Sequence, residues 1–215
     1  MERILELYAR PYDARFPVVC YDERPCFLSG ELIKGIEMKA EQVKKEHYAY
    51  EKLGSGSLLA TIEPLPGKRI ADVFSQRRKI EFALHFQKVA ARYAEAEQII
   101  VILDNLNTPD ESAFYEVFEA EEARRLSKKF RFVKTPKSAS WLNMIEIEFS
   151  AISRLCLDRR IPTKEKLEKE VLAIIKEREE KQIKINWQFS IETARTKLNR
   201  HYSEVNPAND KYQLI

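Results

Sequence analysis

Two short apolar runs in this sequence each end on an aspartate. Pro17-Val18-Val19-Cys20-Tyr21 is followed by Asp22, and Gln98-Ile99-Ile100-Val101-Ile102-Leu103 by Asp104. Runs of this length and composition predict buried strands over 17–21 and 98–103. In an open α/β sheet, ligands gather where the carboxyl ends of parallel strands meet. A carboxylate there is costly to desolvate, and two of them side by side repel. A divalent cation resolves both costs, and an all-oxygen donor set suits Mg²⁺ or Mn²⁺ rather than zinc. The competing reading is that each Asp caps a turn, in Asp-Glu-Arg-Pro and Asp-Asn-Leu-Asn. It is the stronger reading for either residue alone; the repetition of strand-then-Asp shifts the balance toward a metal site. A third ligand should come from the helix after the last strand. There Ser140 predicts an N-cap, and Trp141, Ile145, Phe149, Ile152 and Cys156 a buried stripe. Glu146 and Glu148 lie at opposite margins of that stripe. Periodicity does not separate them, and Glu148 reads first as a plain surface acid.

The elements that must position these acids follow from periodicity and punctuation. A short helix opens the chain and stops at Pro11. Residues 31–46 are rich in Glu and Lys without an apolar stripe, which predicts an exposed insertion or helix. From His47 to Ser75 the pattern alternates, and Gly54-Ser55-Gly56 and Pro64-Leu65-Pro66-Gly67 predict turns between antiparallel strands. Phe82, Phe86, Val89 and Tyr93 recur at helical spacing within 77–95. Pro109-Asp110-Glu111 starts another helix carrying Phe114, Val117 and Phe118, and Phe130–Val133 is a short strand. Pro162-Thr163 opens a long charged helix to about Lys181, Ser190 one to about Asn199, and a loose tail follows Pro207. Strands and helices in this order predict a mixed α/β sheet.

Composition narrows the function classes. The 215 residues carry 37 Lys or Arg and 34 Asp or Glu, a net charge of +3. No run approaches the roughly 20 apolar residues of a membrane span. Cys20, Cys26 and Cys156 are an odd set without a Cys-x-x-Cys pair, which points to a reducing compartment and a soluble cytoplasmic protein. His47, His85 and His201 lack ligand spacing. The charge is unevenly distributed: residues 1–120 sum to −4 and residues 121–215 to +7. Arg124, Arg125, Lys128, Lys129, Arg131, Lys134 and Lys137 fall within fourteen residues containing no acid, with Arg154, Arg159 and Arg160 beyond them. Such a run can contact phosphates; a solvated helix end accounts for it equally well. Trp141 and Trp187 offer rings for stacking on bases, although Trp141 falls on the core stripe.

Several segments in the same order resemble a known family. They are Val18-Val19-Cys20-Tyr21-Asp22-Glu23-Arg24-Pro25, Glu63-Pro64-Leu65 with Gly67-Lys68-Arg69, and Asp104-Asn105-Leu106-Asn107-Thr108. Thr135-Pro136-Lys137, Ser140-Trp141-Leu142-Asn143-Met144-Ile145-Glu146, Cys156–Pro162 and Asn186-Trp187-Gln188-Phe189 continue the match. Together they are similar to the bacterial insertion-sequence branch of the mariner superfamily, DDE transposases with an RNase H-like, retroviral-integrase-type catalytic fold. The resemblance implies a mixed sheet flanked by helices, with a lead-in helix at 1–16, a catalytic core at 17–160, a C-terminal helical extension at 161–205 and a tail at 206–215. It implies Asp22, Asp104 and Glu146 as catalytic metal ligands, choosing Glu146 through the pattern Leu-Asn-x-x-Glu, and two Mg²⁺ (or Mn²⁺) ions. The implied reaction is DNA strand cleavage and strand transfer by in-line phosphoryl transfer on transposon ends and target, with the basic residues above as the DNA path. It further implies a homodimer, located in the cytoplasm and on the nucleoid when bound to DNA. Pro109 and Ser138 stand where the family often has His. Nothing resembling a helix-turn-helix precedes Asp22, so end recognition is expected to be either missing or supplied by a separate chain. A catalytically silent DNA- or protein-binding remnant and a general RNase H-type nuclease are the alternative readings.

Overall fold

The computed structural model describes residues 1–33, 48–105, 110–206 and 208. Most of the expected insertion at 31–46, Pro109 and nearly all of the tail lie outside the described residues. A lead-in helix, α1 (Glu2–Tyr8), precedes β1 (Val18–Glu31), β2 (Tyr50–Glu63) and β3 (Lys68–Phe74). Next come α2 (Lys79–Arg92), β4 (Ile99–Leu103), α3 (Ser112–Val117), α4 (Ala120–Lys129) and β5 (Phe130–Lys134). They are followed by α5 (Ile145–Ile152), α6 (Lys164–Glu180), α7 (Ile191–Lys197) and α8 (Asn199–Val205). The strands form one five-stranded sheet in the order β3-β2-β1-β4-β5. β1, β2 and β3 are antiparallel neighbours, while β4 runs parallel to β1 and β5 parallel to β4. A parallel β1–β4 pair needs a crossover, and α2 lies within it. This is the RNase H-like mixed sheet, with a helical extension at its C-terminus.

Each face of the sheet buries its own core. On one face Val19, Tyr21, Val101 and Leu103 pack with Phe82, Phe86 and Val89 of α2, Phe114 of α3 and Leu126 of α4. The Phe86 ring sits 4.5 Å from Phe82, 4.9 Å from Tyr21 and 5.1 Å from Phe130. On the other face Cys20, Ile100, Ile102 and Val133 meet Leu5 of α1, Ile145 and Phe149 of α5, and Leu167, Val171 and Ile175 of α6. β4 is buried at all five positions because both faces are covered, which is why its sequence is an unbroken apolar run. The same alternation puts Asp22 and Asp104 on the α5 face, in step with Cys20 and Ile102.

Five expectations need correcting. β1 does not stop at Asp22; it runs on to Glu31, because β2 continues to pair with it after β4 has ended. Gly54-Ser55-Gly56 is not a turn but part of β2, beside a bulge where the β1–β2 register slips between Leu28 and Ser29. The helix expected from Ser140 is broken into a 3₁₀ turn (Ser140–Leu142), α5 and a wide turn (Ser153–Leu157). Trp141 therefore leaves the core stripe and is 46% exposed, its edge against Phe189 at 5.2 Å. Ser140 is not a cap, since it lies inside the 3₁₀ turn, whereas the Thr163 and Ser190 hydroxyls accept from the Lys166 and Thr193 backbone N–H, both at 3.2 Å.

The β2–β3 turn meets the segment after α6 at Gly67, whose φ is +77°. A Cβ there would lie 2.7 Å from the Ile183 carbonyl oxygen. Gly67→Ala is expected to destabilise the protein by more than about 1 kcal/mol, from both the positive φ and the close contact. Urea denaturation of the two proteins measures it.

Candidate active site

β1 and β4 are paired through Val18–Cys20 and Ile100–Ile102. The same offset carried two residues further sets Asp22 level with Asp104, immediately after β4 ends. The two carboxylates are thus delivered to one place by register, not by loop conformation. Each is steadied by its own backbone: Glu23 N–H donates to Asp22 Oδ1 at 2.7 Å and Asn105 N–H to Asp104 Oδ1 at 2.9 Å. The Thr135 hydroxyl, next after β5, donates to the same Asp104 oxygen at 2.6 Å.

Glu146 reaches this place through Asn143. The buried Asn143 side chain donates its amide N–H to the Tyr21 carbonyl oxygen at 2.8 Å, fastening the start of α5 to the residue before Asp22. The Tyr8 hydroxyl donates to the Leu142 carbonyl at 2.7 Å and braces the same turn from α1. Glu146, in the first turn of α5, is exposed. Burial, together with repulsion from Glu146, Asp104 and Glu23, pushes the Asp22 carboxyl up to about 7, against the pull of its hydrogen bond from Glu23 N–H.

Glu148 is no surface acid. It is 1% exposed and held by two arginines: Arg69 of β3 at 2.9 and 3.1 Å, and Arg178 of α6 at 2.8 and 3.0 Å. Burial by itself would raise its carboxyl; the hydrogen bonds from Arg178 and Arg69 hold it below the ordinary range. Arg69 also donates to the Gly67 and Ile183 carbonyls. This carboxylate's lone pairs are committed to arginine, which leaves Glu146 as the acid of α5 able to act beside Asp22. Periodicity had no means of finding the network, because its partners are 79 and 30 residues away. Asn143, Thr135 and Arg69 do lie within the motifs that carry the family resemblance, though nothing in those motifs states their roles.

Asp22, Asp104 and Glu146 are an oxygen-only set, in which charge repulsion rather than hydrogen bonding awaits compensation. That chemistry fits a hard divalent cation. Among the described residues, no three or more His, Cys, Asp or Glu side chains, these acids included, stand close enough together to hold a metal ion. His85 is occupied elsewhere, buried on the α2 face with Nδ1 2.8 Å from Asp72 and Nε2 2.7 Å from the Thr61 hydroxyl.

The ten basic residues do not share a face. Arg124, Arg125, Lys128 and Lys129 lie on α4, which packs on the sheet face opposite α5. Arg125 is paired with Glu122 at 2.7 Å, and Lys129 donates to the Ala94 and Ala96 carbonyls. Arg131 lines a cavity at the amino end of β1 and β4. Lys134 and Lys137 are exposed on either side of Thr135, and Arg154 is exposed just after α5. Arg159 is paired with Glu170, and Arg160 adjoins it.

A family model described as DDE superfamily endonuclease matches residues 17–168. No curated protein sequence matches the chain. Among solved structures it is similar to the Mos1 mariner paired end complex with Mn, at 12% identity and TM-score 0.48, covering 84% of this chain and 57% of that one. It is also similar to the Mos1 Strand Transfer Complex, at 11% identity and TM-score 0.49, covering 84% and 56%. The chain thus spans less than two thirds of the length of these proteins. Among the described residues no helix is long and apolar enough to cross a membrane.

Two measurements probe this geometry. Because the Asp22 carboxyl is raised in the fold, the stability it contributes is present below about pH 4 and is lost as pH rises through about 7. In metal-free buffer Asp22→Asn should therefore stabilise the protein at pH 8, by roughly 1–3 kcal/mol, and much less at pH 5. Thermal melts at the two pH values give the difference. Glu148→Ala leaves Arg69 and Arg178 without their partner and should cost about 3–5 kcal/mol in urea denaturation.

Proposed function

We propose, for a chain that belongs to the DDE superfamily endonuclease family, that it cleaves and transfers DNA strands by in-line phosphoryl transfer, as the catalytic portion of a transposase. The observation that carries the proposal is the β1–β4 register that sets the half-buried Asp22 level with Asp104, with Glu146 near enough to help raise the Asp22 carboxyl. In this reading the three carboxylates hold two Mg²⁺ or Mn²⁺ ions. When bound, such ions polarise the scissile phosphate and favour deprotonation of an attacking water or 3′-hydroxyl.

The chain's own residues do the positioning. Thr135 and the Asn105 N–H orient Asp104 by sharing one of its oxygens, and Asn143 sets the distance from α5 to β1. The Arg69–Glu148–Arg178 network fixes the rotation of α5, and with it the direction of Glu146. The substrate is DNA, transposon ends and target, approached over the exposed Lys134, Lys137 and Arg154 beside the acids. Residues 17–160 supply the chemistry and 161–205 the brace behind α5. A homodimer working on paired ends, with a separate helix-turn-helix chain for end recognition, belongs to the same proposal.

The test is nicking of a supercoiled plasmid. With Mg²⁺ or Mn²⁺ the protein should relax it, and Asp104→Asn should lower the rate more than a hundredfold, since a carboxylate that would hold metal is lost. Equal nicking by the two proteins would sink the proposal. Preferential cleavage of an RNA–DNA hybrid over duplex DNA would instead identify a general RNase H-type nuclease.

A further inference from the structure

Beyond Asp22 the outer half of β1 borders a cavity of about 680 Å³, closed on its other side by the turn after α5 and the start of α6. The volume falls within the range of ordinary ligand sites. Among the described residues its lining includes four cationic ones, Arg24, Lys52, Arg159 and Arg160, and no carboxylate. Arg159 has its own partner in Glu170, outside the lining, and Arg24 donates to the Phe149 carbonyl at 3.4 Å. Two aromatic residues of the lining are open to solvent: Phe27 is 79% exposed and Tyr50 51%.

The backbone suits a close approach. At the bulge beside Leu28 the ladder skips Leu53, and Gly54 takes a φ of +127° with nothing within 4 Å of where a Cβ would stand. Gly54 therefore leaves its main chain uncovered on the cavity wall. The cavity begins one strand step beyond the first acid. Arg24 follows Asp22 on the same face of β1, about 7 Å further along the strand.

We propose that this cavity binds an unpaired DNA segment adjoining the phosphate at the Asp22 site. Lys52, Arg160 and Arg24 face its phosphates, while Phe27 or Tyr50 stacks on a base. Unpaired rather than duplex DNA is indicated because an aromatic ring stacks only on a base whose face is free, and because a lining without carboxylates complements a phosphate chain. This inference rests on the strand-cleaving reading and adds a substrate path to it.

Fluorescence anisotropy with labelled oligo(dT), on the full chain without metal, tests it. Lys52→Ala and Phe27→Ala should each weaken binding about fivefold, Lys52→Arg should restore it, and only Lys52→Ala should lower the salt slope, by about one. Both positions are exposed, and unchanged thermal melts will show that the variants fold. Unchanged oligo(dT) affinity in both alanine variants, or no oligo(dT) binding by a wild-type protein that nicks plasmid, overturns the inference. Loss of affinity in the variants of a protein that does not nick plasmid supports the cavity while defeating the cleavage reading.

Discussion

α5 carries two acids, two residues apart, under opposite electrostatic conditions, and the arrangement of the site depends on keeping them so. Glu148 is buried, and desolvating a carboxylate is repaid only by close, multiple hydrogen bonding. Arg69 and Arg178 provide four such contacts between 2.8 and 3.1 Å. They come from β3 and α6, so the helix is tied at once to the sheet and to the C-terminal extension. With its rotation set by one neutralised carboxylate, α5 can hold the other, Glu146, near Asp22 despite their repulsion. If Glu148 were free to turn outward, that repulsion would turn the helix.

The register of β1 against β4 is the second half of the constraint. β4 ends at Leu103 while β1 continues along β2 for another ten residues, so the sheet narrows at Asp22. The acids stand at that step. On its inner side they have the low-dielectric core, which raises Asp22; on its outer side they are open, as a site for a large polyanion requires. The basic residues follow a different logic. Those on α4 are spent partly on local structure, in the Arg125–Glu122 pair and the hold of Lys129 on the turn after α2. A run of cations in sequence therefore became a helix of one face and a strand of another.

Much of this was legible in the chain and some was not. β4, α2 and α6 are visible because periodicity and caps are local signals. Asp22 and Asp104 are visible because an apolar run that ends on an acid is unusual. The true end of β1 was hidden: strand pairing beyond Asp22 depends on β2 partners about twenty to thirty-six residues away, and alternating Arg24, Cys26 and Leu28 was masked by Pro25. Glu148 was misjudged for a related reason. Its burial depends on arginines that no spacing rule connects to it. Gly54 looked like a turn because a bulge and a turn use the same residue.

The β1–β4 pairing also bears on how the molecule reaches its fold. Val18 pairs with Ile100, 82 positions on, whereas the bulged end of the β1–β2 ladder joins residues only about twenty apart. Closing the longer loop costs more entropy, and parallel pairing cannot start from a tight turn. The hairpin can therefore form early, as a local unit, while the two aspartates meet only when β4 docks. Their mutual repulsion is felt late in folding, after the aromatic cluster around Phe86 has a sheet to pack against. The charge that defines the site thus burdens the unfolding rate of the finished protein more than the nucleation of its fold.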